Sequence, residues 1–450
     1  MMVRALCAFG LVMVLAPAGA SVYNLHVVTD ASPDYSSLDD FIGSATTRWD
    51  TPERKLWALF YWNHIARRQC APMVLHGIAL TDPIRQFNDY GFTMCSTVAG
   101  INCSIWDAMG LGVRYWDISN HTVPEVEYGG RWHMYDSSLS ALYTLCDGET
   151  IAGVEDIGAT HGCEASGGRQ EPGHIAKYHC LTATSPNGFL TGSDTTRSLD
   201  DEYRCFNPNG LMYRSYFNDW DRGHRYILNL RDGESYSRFY QKQGDTPAYY
   251  VPLDGKDPDD GRFGLRGNGV RVFRPSLTAT LAARETSVLD GLRALDGGGL
   301  EPQQAGEPGA AVFKVEGANV ITSLTIAGSF RRATEADANS VAISITNGLT
   351  WTDVWTNAGT GEVPLSLELV ELVNGAYEVL VRVSLTAATA PANAQLLGIE
   401  FRTITQVNAK AQPRLTLGRN TVYVGAGAQE GSVVFWPDLR GDRYRPWVIE

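Results

Sequence analysis

Residues Gly91 to Asp136 read GFTMCSTVAGINCSIWDAMGLGVRYWDISNHTVPEVEYGGRWHMYD, and this stretch decides the first half of the fold. From Cys95 onward, apolar residues recur at intervals of three and four, which predicts an amphipathic helix. A strand-like segment follows, and Gly129 and Gly130 then separate two further β-like segments. Two adjacent glycines in that position are a turn signal, so the sequence predicts a β-hairpin after the helix.

The predicted hairpin brings a histidine and an aspartate onto one face. If the two glycines form the turn, Tyr128 pairs with Arg131 and, counting outward, His121 lies opposite Ser138. Asp136 is two residues from Ser138, so it lies on the same face, diagonal to His121 and within reach of its imidazole. A bulge at the proline of the first arm would shift this register by one residue and undo the arrangement.

The same pattern places Cys95 in the first turn of the helix. Exposed N–H groups and the helix dipole at that end favour a thiolate. Two interpretations compete: Cys95 is a buried small residue or half of a disulfide, or it is the nucleophile of a thiol enzyme. The histidine and aspartate downstream favour the second interpretation, because thiol catalysis needs a base and a group that orients it.

The stretch resembles the transglutaminase-like superfamily, whose core is papain-like, over about residues 50–145. The resemblance implies that Cys95 attacks a carbonyl, that His121 acts as base and then acid, and that Asp136 orients His121. The acyl group would then pass to water or to an amine. The residues that carry the resemblance are the predicted helix Glu53 to Arg68, Cys95, GLGVRYWD (Gly110 to Asp117), His121 with Glu125-Val126, and GRWHMYD ending at Asp136.

Composition bounds the class of protein. The chain has 450 residues, of which 44% are hydrophobic, enough for two or three domains with a sizeable core. The chain has a net charge of −13, and its sequence shows no basic patch of the kind that binds nucleic acid. No nucleic-acid partner is therefore expected. Residues 1–20 have the pattern of a signal peptide cleaved near Ala20, and no later apolar run is long enough for a membrane anchor. A secreted or periplasmic protein is expected.

Cysteine parity also bears on Cys95. Without the one in the signal peptide, seven cysteines remain, and all lie between residues 70 and 205. An exported protein favours disulfides, so six could pair and leave one thiol. The odd number of cysteines does not show which one remains a thiol, and the disulfide pairing stays open.

The fold class predicted from these patterns is α+β: a transglutaminase-like (papain-like) catalytic domain followed by an all-β sandwich. The predicted domains are 21–286, with a long insertion and a Tyr/Arg-rich segment, then a linker over 287–309, then a β-sandwich accessory domain over 310–450. Short strands at regular spacing and the hairpin signal Asn347-Gly348 support the sandwich.

Several residues outside the triad are candidates for binding. Gln86 or Asn88 could donate to an oxyanion, although a surface turn amide is the alternative for each. Residues 203–250 contain twelve aromatic residues and six arginines, which fit either a groove for an acidic polysaccharide or a β-rich core. Trp351 and Trp355 could form a sugar platform or be buried in the sandwich. The substrate-binding candidates are Arg131, Tyr135, Arg222, Arg225, Tyr226 and Arg238.

No metal or cofactor is expected. The acidic run from Asp254 to Asp260 could hold calcium, but its spacing does not fit an EF-hand and favours a solvated loop. Histidines and cysteines within residues 146–200 could hold zinc, but their irregular spacing favours disulfides.

Three functions remain open on the sequence. The first is a secreted thiol enzyme that carries out acyl transfer or amide hydrolysis on a protein substrate through Cys95, His121 and Asp136. The second is a polysaccharide lyase, or another carbohydrate-active enzyme, acting on an acidic glycan; its candidate residues are His121, Tyr135, Arg131 and Tyr226. The third is a non-catalytic glycan-binding protein. Oligomeric state is not predicted.

Overall fold

The computed structural model of the protein describes residues 22–69, 74–75, 78–118, 121–138, 141–145, 150–156, 175–180, 211–212, 223–239, 267–416, 419–427, 435–436 and 448–449. The predicted signal peptide, the acidic run Asp254 to Asp260, the substrate candidate Arg222 and the cysteines other than Cys95 and Cys103 lie outside the described residues, apart from the backbone of Cys180.

The longer helices among the described residues lie in the first quarter of the chain, and capping residues start the first two of them. Ser37 accepts a hydrogen bond from the N–H of Asp40 and starts the first helix, and Thr51 accepts one from Arg54 and starts the second, with proline as its first residue. The helices are α1 (Leu38–Thr46), α2 (Pro52–Ile65), α3 (Pro83–Arg85), which continues as a π-helix over Gln86–Tyr90, and α4 (Cys95–Ala108).

Strands make up most of the remaining regular structure in the described residues. The first thirteen are β1 (Tyr23–Thr29), β2 (Arg68–Gln69), β3 (Val74–Leu75), β4 (Ile78–Ala79), β5 (Phe92–Thr93), β6 (Gly112–Ile118), β7 (His121–Tyr128), β8 (Arg131–Met134), β9 (Ala141–Leu145), β10 (Ile175–Cys180), β11 (Leu211–Met212), β12 (Ser235–Arg238) and β13 (Gly269–Phe273). A short helix, Ala282–Glu285, precedes the next group.

The second group begins inside the predicted linker. Its strands are β14 (Val288–Asp290), β15 (Leu292–Ala294), β16 (Leu300–Pro302), β17 (Pro308–Glu316), β18 (Val320–Arg332), β19 (Ala338–Ser344), β20 (Thr352–Thr356), β21 (Gly361–Leu369), β22 (Glu378–Thr386), β23 (Ala394–Gln406), β24 (Val422–Gly427), β25 (Phe435–Trp436) and β26 (Val448–Ile449). A 3-10 turn over Pro391–Asn393 leads into β23.

Helix α4 packs on a four-stranded antiparallel sheet in the order β11-β6-β7-β8. The predicted helix and hairpin are both confirmed. Tyr128 pairs with Arg131, and the register runs without a shift to Glu125 opposite Met134. Pro124 pairs with Tyr115 on the other neighbouring strand and causes no bulge there. The two arms of the hairpin therefore pair in the predicted register. In this register residues 121 and 136 lie towards the same end of the sheet.

The second half is a β-sandwich. One sheet has the order β15-β16-β23-β13-β12-β26-β25, with β18 and β21 joined to it through β23, and the other has the order β14-β17-β22-β19-β20. Alternate residues of β22 are buried, the pattern of a strand with one face in a core. The two sheets enclose an apolar core in which Phe313 contacts Phe401 and Phe330 contacts Trp355.

An α+β, papain-like fold is therefore wrong for this chain, which is mainly β. Among the described residues, only α1, α2 and α4 are longer than five residues, whereas strands come from every part of the chain. The helical period around Cys95 is a local signal that a few residues reveal. Strand pairing is non-local: β13 pairs with β23, which lies more than a hundred residues later, and short segments cannot reveal such a partner.

The predicted linker over 287–309 is also wrong, because β14, β15 and β16 belong to the sandwich sheets. Strands from the predicted first domain cross the boundary as well. β12 and β13 extend the sandwich sheet, and β24 returns to pair with β1. The two halves thus share hydrogen-bonded strands.

A buried polar network also joins the halves at Asp89, in the π-helix. The hydroxyl of Tyr377 and the amide of Asn319 each donate to its carboxylate at 2.6 Å. Burial raises the pKa of Asp89 to about 6, although both hydrogen bonds act to lower it. The donors come from the sandwich, so the carboxylate holds the sandwich against the helical part.

Among the described residues, no helix is both long enough and apolar enough to cross a membrane.

Candidate functional site

Cys95 is the first residue of α4 and is half-buried there. Met94 precedes it and supplies no capping side chain, so the first N–H groups of the helix have no intrahelical acceptor. The carbonyl of Met94 receives the first helical hydrogen bond, from Val98 at 2.9 Å. Within the described part of the chain, neither Cys95 nor Cys103 forms a disulfide. The residue predicted to be the nucleophile thus lies at the positive end of a helix, where a thiolate is favoured.

Arg67 links Cys95 to Asp136. Its backbone lies next to the nucleophile segment, because β2 pairs in parallel with β5 and Arg68 donates to the carbonyl of Gly91 at 2.6 Å. Burial lowers the pKa of Arg67 to about 10, and the charges of Asp136 and then Cys95 oppose that shift. A sulfur and a carboxylate that are 41 positions apart in the sequence thus lie within electrostatic range of one guanidinium.

A buried polar network between α2, α4 and the end of the hairpin lies next to Asp136 in the sequence. Asn63 donates to Asn102 at 2.5 Å, and Asn102 donates to the hydroxyl of Ser137 at 2.9 Å. The carboxylate of Asp136 accepts a hydrogen bond from the N–H of Ser138 at 2.8 Å. All of these side chains are buried, so the network joins the end of the hairpin, at Ser137, to α4.

His64 lies beside this network. Its Nδ1 is 3.3 Å from the carbonyl oxygen of Ser137. Burial, followed by the charge of Arg67, lowers its pKa to about 3. The imidazole of His64 is therefore neutral near pH 7, and with its ring buried it is a structural group rather than a base for a substrate.

His121 is the first residue of β7, where its backbone pairs with Ile118 of β6. Its side chain lies outside the described part of the structure, so its distances to Cys95 and Asp136 stay predictions. The strand that carries it is fixed further along by Glu125, which is fully buried. Glu125 accepts hydrogen bonds from the side chains of Arg114 and Trp116 and from the backbone of Val154.

The side-chain amides of both oxyanion candidates already donate hydrogen bonds to backbone carbonyls. Both N–H groups of Asn88 donate to backbone carbonyls, of Tyr35 at 2.8 Å and Ile84 at 2.9 Å. Gln86 is buried, and its amide nitrogen donates to the carbonyl of Leu80 at 3.2 Å. Because both amides donate to backbone carbonyls, the N–H groups of the first turn of α4 are the better-placed donors for an oxyanion at Cys95.

The substrate-binding candidates that the structure describes differ in exposure. Arg131 is exposed and forms an ion pair with Asp156 at 3.1 Å. Tyr135 is fully buried, packs against Phe60 and shares a hydrogen bond with Tyr128.

Tyr226 is also buried, and its hydroxyl donates to Asn319 at 3.0 Å. Burial raises the pKa of Tyr135 and of Tyr226, so neither phenol is suited to removing a proton from a sugar. Arg225 is exposed, and Arg238 lies at the end of β12 and pairs with Gly269.

Sequence reasoning missed Asn63, His64 and Arg67. All three are buried and belong to the polar surroundings of the end of the hairpin. The signal was present: three polar residues, at positions 63, 64 and 67, follow the apolar run Leu56 to Trp62. Buried polar groups in that pattern require partners, which indicates a polar network rather than a plain core. Asn102 interrupts the apolar stripe of α4 in the same way, and the same argument applies to it.

One metal-ligand grouping occurs among the described residues. His26, Asp34 and Asp40 bring their ligand atoms within 4.8 Å of one another. His26 already pairs with Asp34 at 3.3 Å, and Asp40 accepts a hydrogen bond from Ser37 at 2.6 Å. The group lies between β1 and α1.

No family model matches the chain, and no characterised protein matches it by sequence. Solved structures that resemble parts of it include a family two carbohydrate esterase from Cellvibrio japonicus, at 16% identity over 31% of this chain and 35% of that one, with a TM-score of 0.21. Arthrobacter globiformis isomalto-dextranase complexed with panose matches at 14% identity over 37% and 32% of the two chains, TM-score 0.21. The carbohydrate-binding module TmCBM61 in complex with β-1,4-galactotriose matches at 10% identity over 36% and 73%, TM-score 0.15. The chain thus spans about a third of each of the two enzymes.

Proposed function

We propose that the protein is a thiol enzyme that forms an acyl-enzyme at Cys95 and passes the acyl group to water or to an amine. The observation that carries the proposal is that Cys95 is the first residue of α4, and that α4 packs on β7, the strand whose first residue is His121. The charges of Asp136 and Cys95 both act on the buried Arg67, which supports the same arrangement. The resemblance to transglutaminase-like enzymes, which rests on the residues around Cys95 and not on the fold, supports the same chemistry.

In the proposed reaction the thiolate of Cys95 attacks the carbonyl carbon of an amide. The bond to the leaving amine breaks, His121 gives that amine a proton, and a thioester remains on Cys95. His121 then takes a proton from the attacking water or amine, and Asp136 holds the imidazole in the required tautomer. The N–H groups at the start of α4 stabilise the oxyanion.

The direct test is to trap the acyl-enzyme. The full chain is incubated with an activated ester or with a glutamine-bearing protein and a fluorescent primary amine, and the intact mass is measured. We expect one acyl adduct, located at Cys95 by peptide mass spectrometry, and loss of adduct and activity after iodoacetamide. Activity that survives complete alkylation of Cys95 would contradict the proposal.

We propose glycan binding by the sandwich as a second candidate. The observation that favours it is an exposed apolar loop edge that includes Ile345 and Leu349, with Trp351 beside it. The guanidinium of Arg382 lies 4.4 Å from the ring of Trp351, which holds that indole in place. A fixed indole can stack on a sugar ring. Trp355, by contrast, packs against Phe330.

Replacing Trp351 by alanine should weaken glycan binding about three- to tenfold if this edge binds sugars, because one aromatic stacking contact is lost. Trp49→Ala, which removes an exposed tryptophan from the other half, is the matched control. Binding is measured by affinity electrophoresis in a panel of neutral and uronate polysaccharides. If Trp351→Ala and the wild type are retarded equally, glycan binding at this edge is contradicted.

A further inference from the structure

A histidine and an aspartate from distant parts of the chain form a hydrogen-bonded pair beside α3. Asp82 precedes α3, and its Oδ1 accepts hydrogen bonds from the backbone N–H groups of Ile84 and Arg85 at 2.9 and 3.0 Å. Its other oxygen, Oδ2, accepts one from the backbone N–H of His224 at 3.1 Å and lies 3.1 Å from Nδ1 of the same residue. Three backbone N–H groups thus hold the carboxylate, and the carboxylate in turn holds the imidazole.

Close packing at Gly223 keeps this pair together. Gly223 has a φ of +74°, a backbone conformation that favours glycine. A Cβ at this position would lie 2.7 Å from the side chain of Ile84 and 3.5 Å from the carboxylate of Asp82. A larger residue would therefore push His224 away from its partner. The side chain of Asp82 is 11% exposed and that of His224 is 29% exposed, so the imidazole is partly open to solvent.

The contact with Asp82 decides which nitrogen of His224 can act as a base. Burial acts to raise the pKa of Asp82, but the hydrogen bond and the charge of His224 lower it below its usual value. An ionised carboxylate only accepts hydrogen bonds, so Nδ1 of a neutral His224 carries the hydrogen and Nε2 carries the lone pair. The charge of His224 acts on both Asp82 and Asp89. Both carboxylates therefore favour the imidazolium that forms when Nε2 takes a proton.

An arginine and a tyrosine lie against the same pair. Oδ2 of Asp82 is 3.9 Å from Nε of Arg85, too far for a hydrogen bond, so the imidazole and the guanidinium flank one oxygen atom. The guanidinium carbon of Arg85 lies 5.0 Å from the ring centroid of Tyr377, and the ring of His224 lies 6.5 Å from it, edge-on. The side chain of Arg85 is 34% exposed. Because Tyr377 comes from the sandwich, the group lies where the two halves of the chain meet, a frequent place for ligand sites.

We propose that this group is a second catalytic site, which cleaves a uronate-containing polysaccharide by β-elimination with His224 as the base. Asp82 is a positioning residue that orients the imidazole. Arg85 neutralises the carboxylate of the uronate, because the proton on the adjacent carbon becomes acidic only when that charge is balanced. The tyrosines that the sequence offered for this chemistry, Tyr135 and Tyr226, are buried, whereas His224 and Arg85 are partly exposed.

The proposed reaction uses one proton carrier. His224 takes the proton from C5 of a uronate residue, and the electron pair left there forms the C4–C5 double bond. The bond between C4 and the glycosidic oxygen breaks, and that oxygen leaves with the bonding electrons. The imidazolium of His224 gives its proton to this oxygen, because the hydroxyl of Tyr377 already donates to Asp89 at 2.6 Å. The products are an unsaturated uronate end and a new sugar hydroxyl, and the reaction consumes neither water nor an oxidant.

The first test follows the unsaturated product by its ultraviolet absorbance. The full chain is incubated in turn with polygalacturonate, alginate, hyaluronan and chondroitin. We expect product from at least one polymer, and His224→Ala should lower the rate at least about 10²-fold. His26→Ala is the matched control and should react as the wild type does, because His26 is also partly buried and lies 3.3 Å from a carboxylate, that of Asp34. No product from any of the four polymers, or equal rates in His224→Ala and wild type, would overturn the proposal.

Rescue by imidazole distinguishes a base from a structural histidine. Imidazole added to His224→Ala should restore part of the rate in proportion to its concentration, because a free base can enter the space that the side chain leaves. The same addition should not raise the rate of the wild type. Thermal unfolding of the variant is measured in parallel. If His224→Ala stays folded and imidazole does not raise its rate, His224 is not the base.

Two further variants separate orientation from charge neutralisation. Asp82→Asn can still cap α3 but presents an amide to the imidazole, so kcat should fall at least about tenfold while KM stays unchanged. The wild type should prefer the reactive polymer over its methyl ester about tenfold, and Arg85→Gln should lose that preference, because the ester carries no charge to neutralise. A wild-type kcat in Asp82→Asn, or an unchanged preference in Arg85→Gln, would contradict these roles. The elimination needs no thiol, and its product is measured separately from the acyl adduct at Cys95, so the two proposals can fail independently.

Discussion

Replacing Cys95 by alanine is expected to lower turnover of an amide or activated ester by at least about 10³-fold, because the sulfur is the group that bonds to the acyl carbon. The thermal unfolding curve should stay close to that of the wild type, since Cys95 is only half-buried. The measurement is kcat/KM on purified full chain, with unfolding followed in parallel.

Cys103→Ala is the matched control, because Cys103 lies on the same helix and is also a thiol. Its sulfur is buried, and its 3.5 Å contact is to the backbone carbonyl of Arg114. Burial raises its pKa well above the usual range, so it stays protonated and inert. This variant should lose some stability and keep its activity per folded molecule. Full activity in Cys95→Ala would end the thiol proposal.

Glu234→Ala should lower the free energy of unfolding by about 3 kcal/mol, because the buried Arg271 loses its nearer carboxylate and keeps only Glu316, at 3.6 Å. Glu234 accepts a hydrogen bond from Arg271 at 2.8 Å, and both side chains are almost fully buried. It also pairs with Arg231, whose guanidinium lies 3.5 Å from the ring of Phe273. The carboxylate thus holds two arginines where the β12–β13 pair meets the sandwich. Denaturant unfolding measures the loss.

The loss of unfolding free energy caused by Glu234→Ala should depend on pH. Burial acts to raise the pKa of Glu234, but the charge and hydrogen bond of Arg271 and the contacts of Arg231 lower it below the usual value. Its contribution is therefore full above the unfolded-state pKa of about 4.3 and is lost as the pH falls through the lower folded-state pKa. The difference between wild type and Glu234→Ala should shrink below about pH 4.

Glu335→Ala removes an exposed glutamate from the sandwich and should change stability by less than about 0.5 kcal/mol. The double variant Glu234→Leu with Arg271→Met should be more stable than Glu234→Ala, because no buried charge is left alone. A loss of less than about 1 kcal/mol in Glu234→Ala, or an equal loss at about pH 3, would contradict this account of the ion pair.

The sequence alone determined the local structure around Cys95. The apolar period predicted α4 with the cysteine as its first residue, and the glycine pair predicted the hairpin with its register. Each feature depends on contacts between residues close in the chain, so a short window contains the whole signal. The β-sandwich of the second half was predicted for the same reason, from short strands and the turn signal Asn347-Gly348.

Only the tertiary structure decided which distant residues meet. Pairing of β13 with β23 and of β1 with β24 made the protein mainly β and removed the predicted linker between two domains. The approach of Arg67 to Cys95 and Asp136 depends on three separate segments packing together. Such contacts depend on the free energy gained when whole surfaces are buried together. The periodicity of residues within one segment does not reveal which surfaces those are.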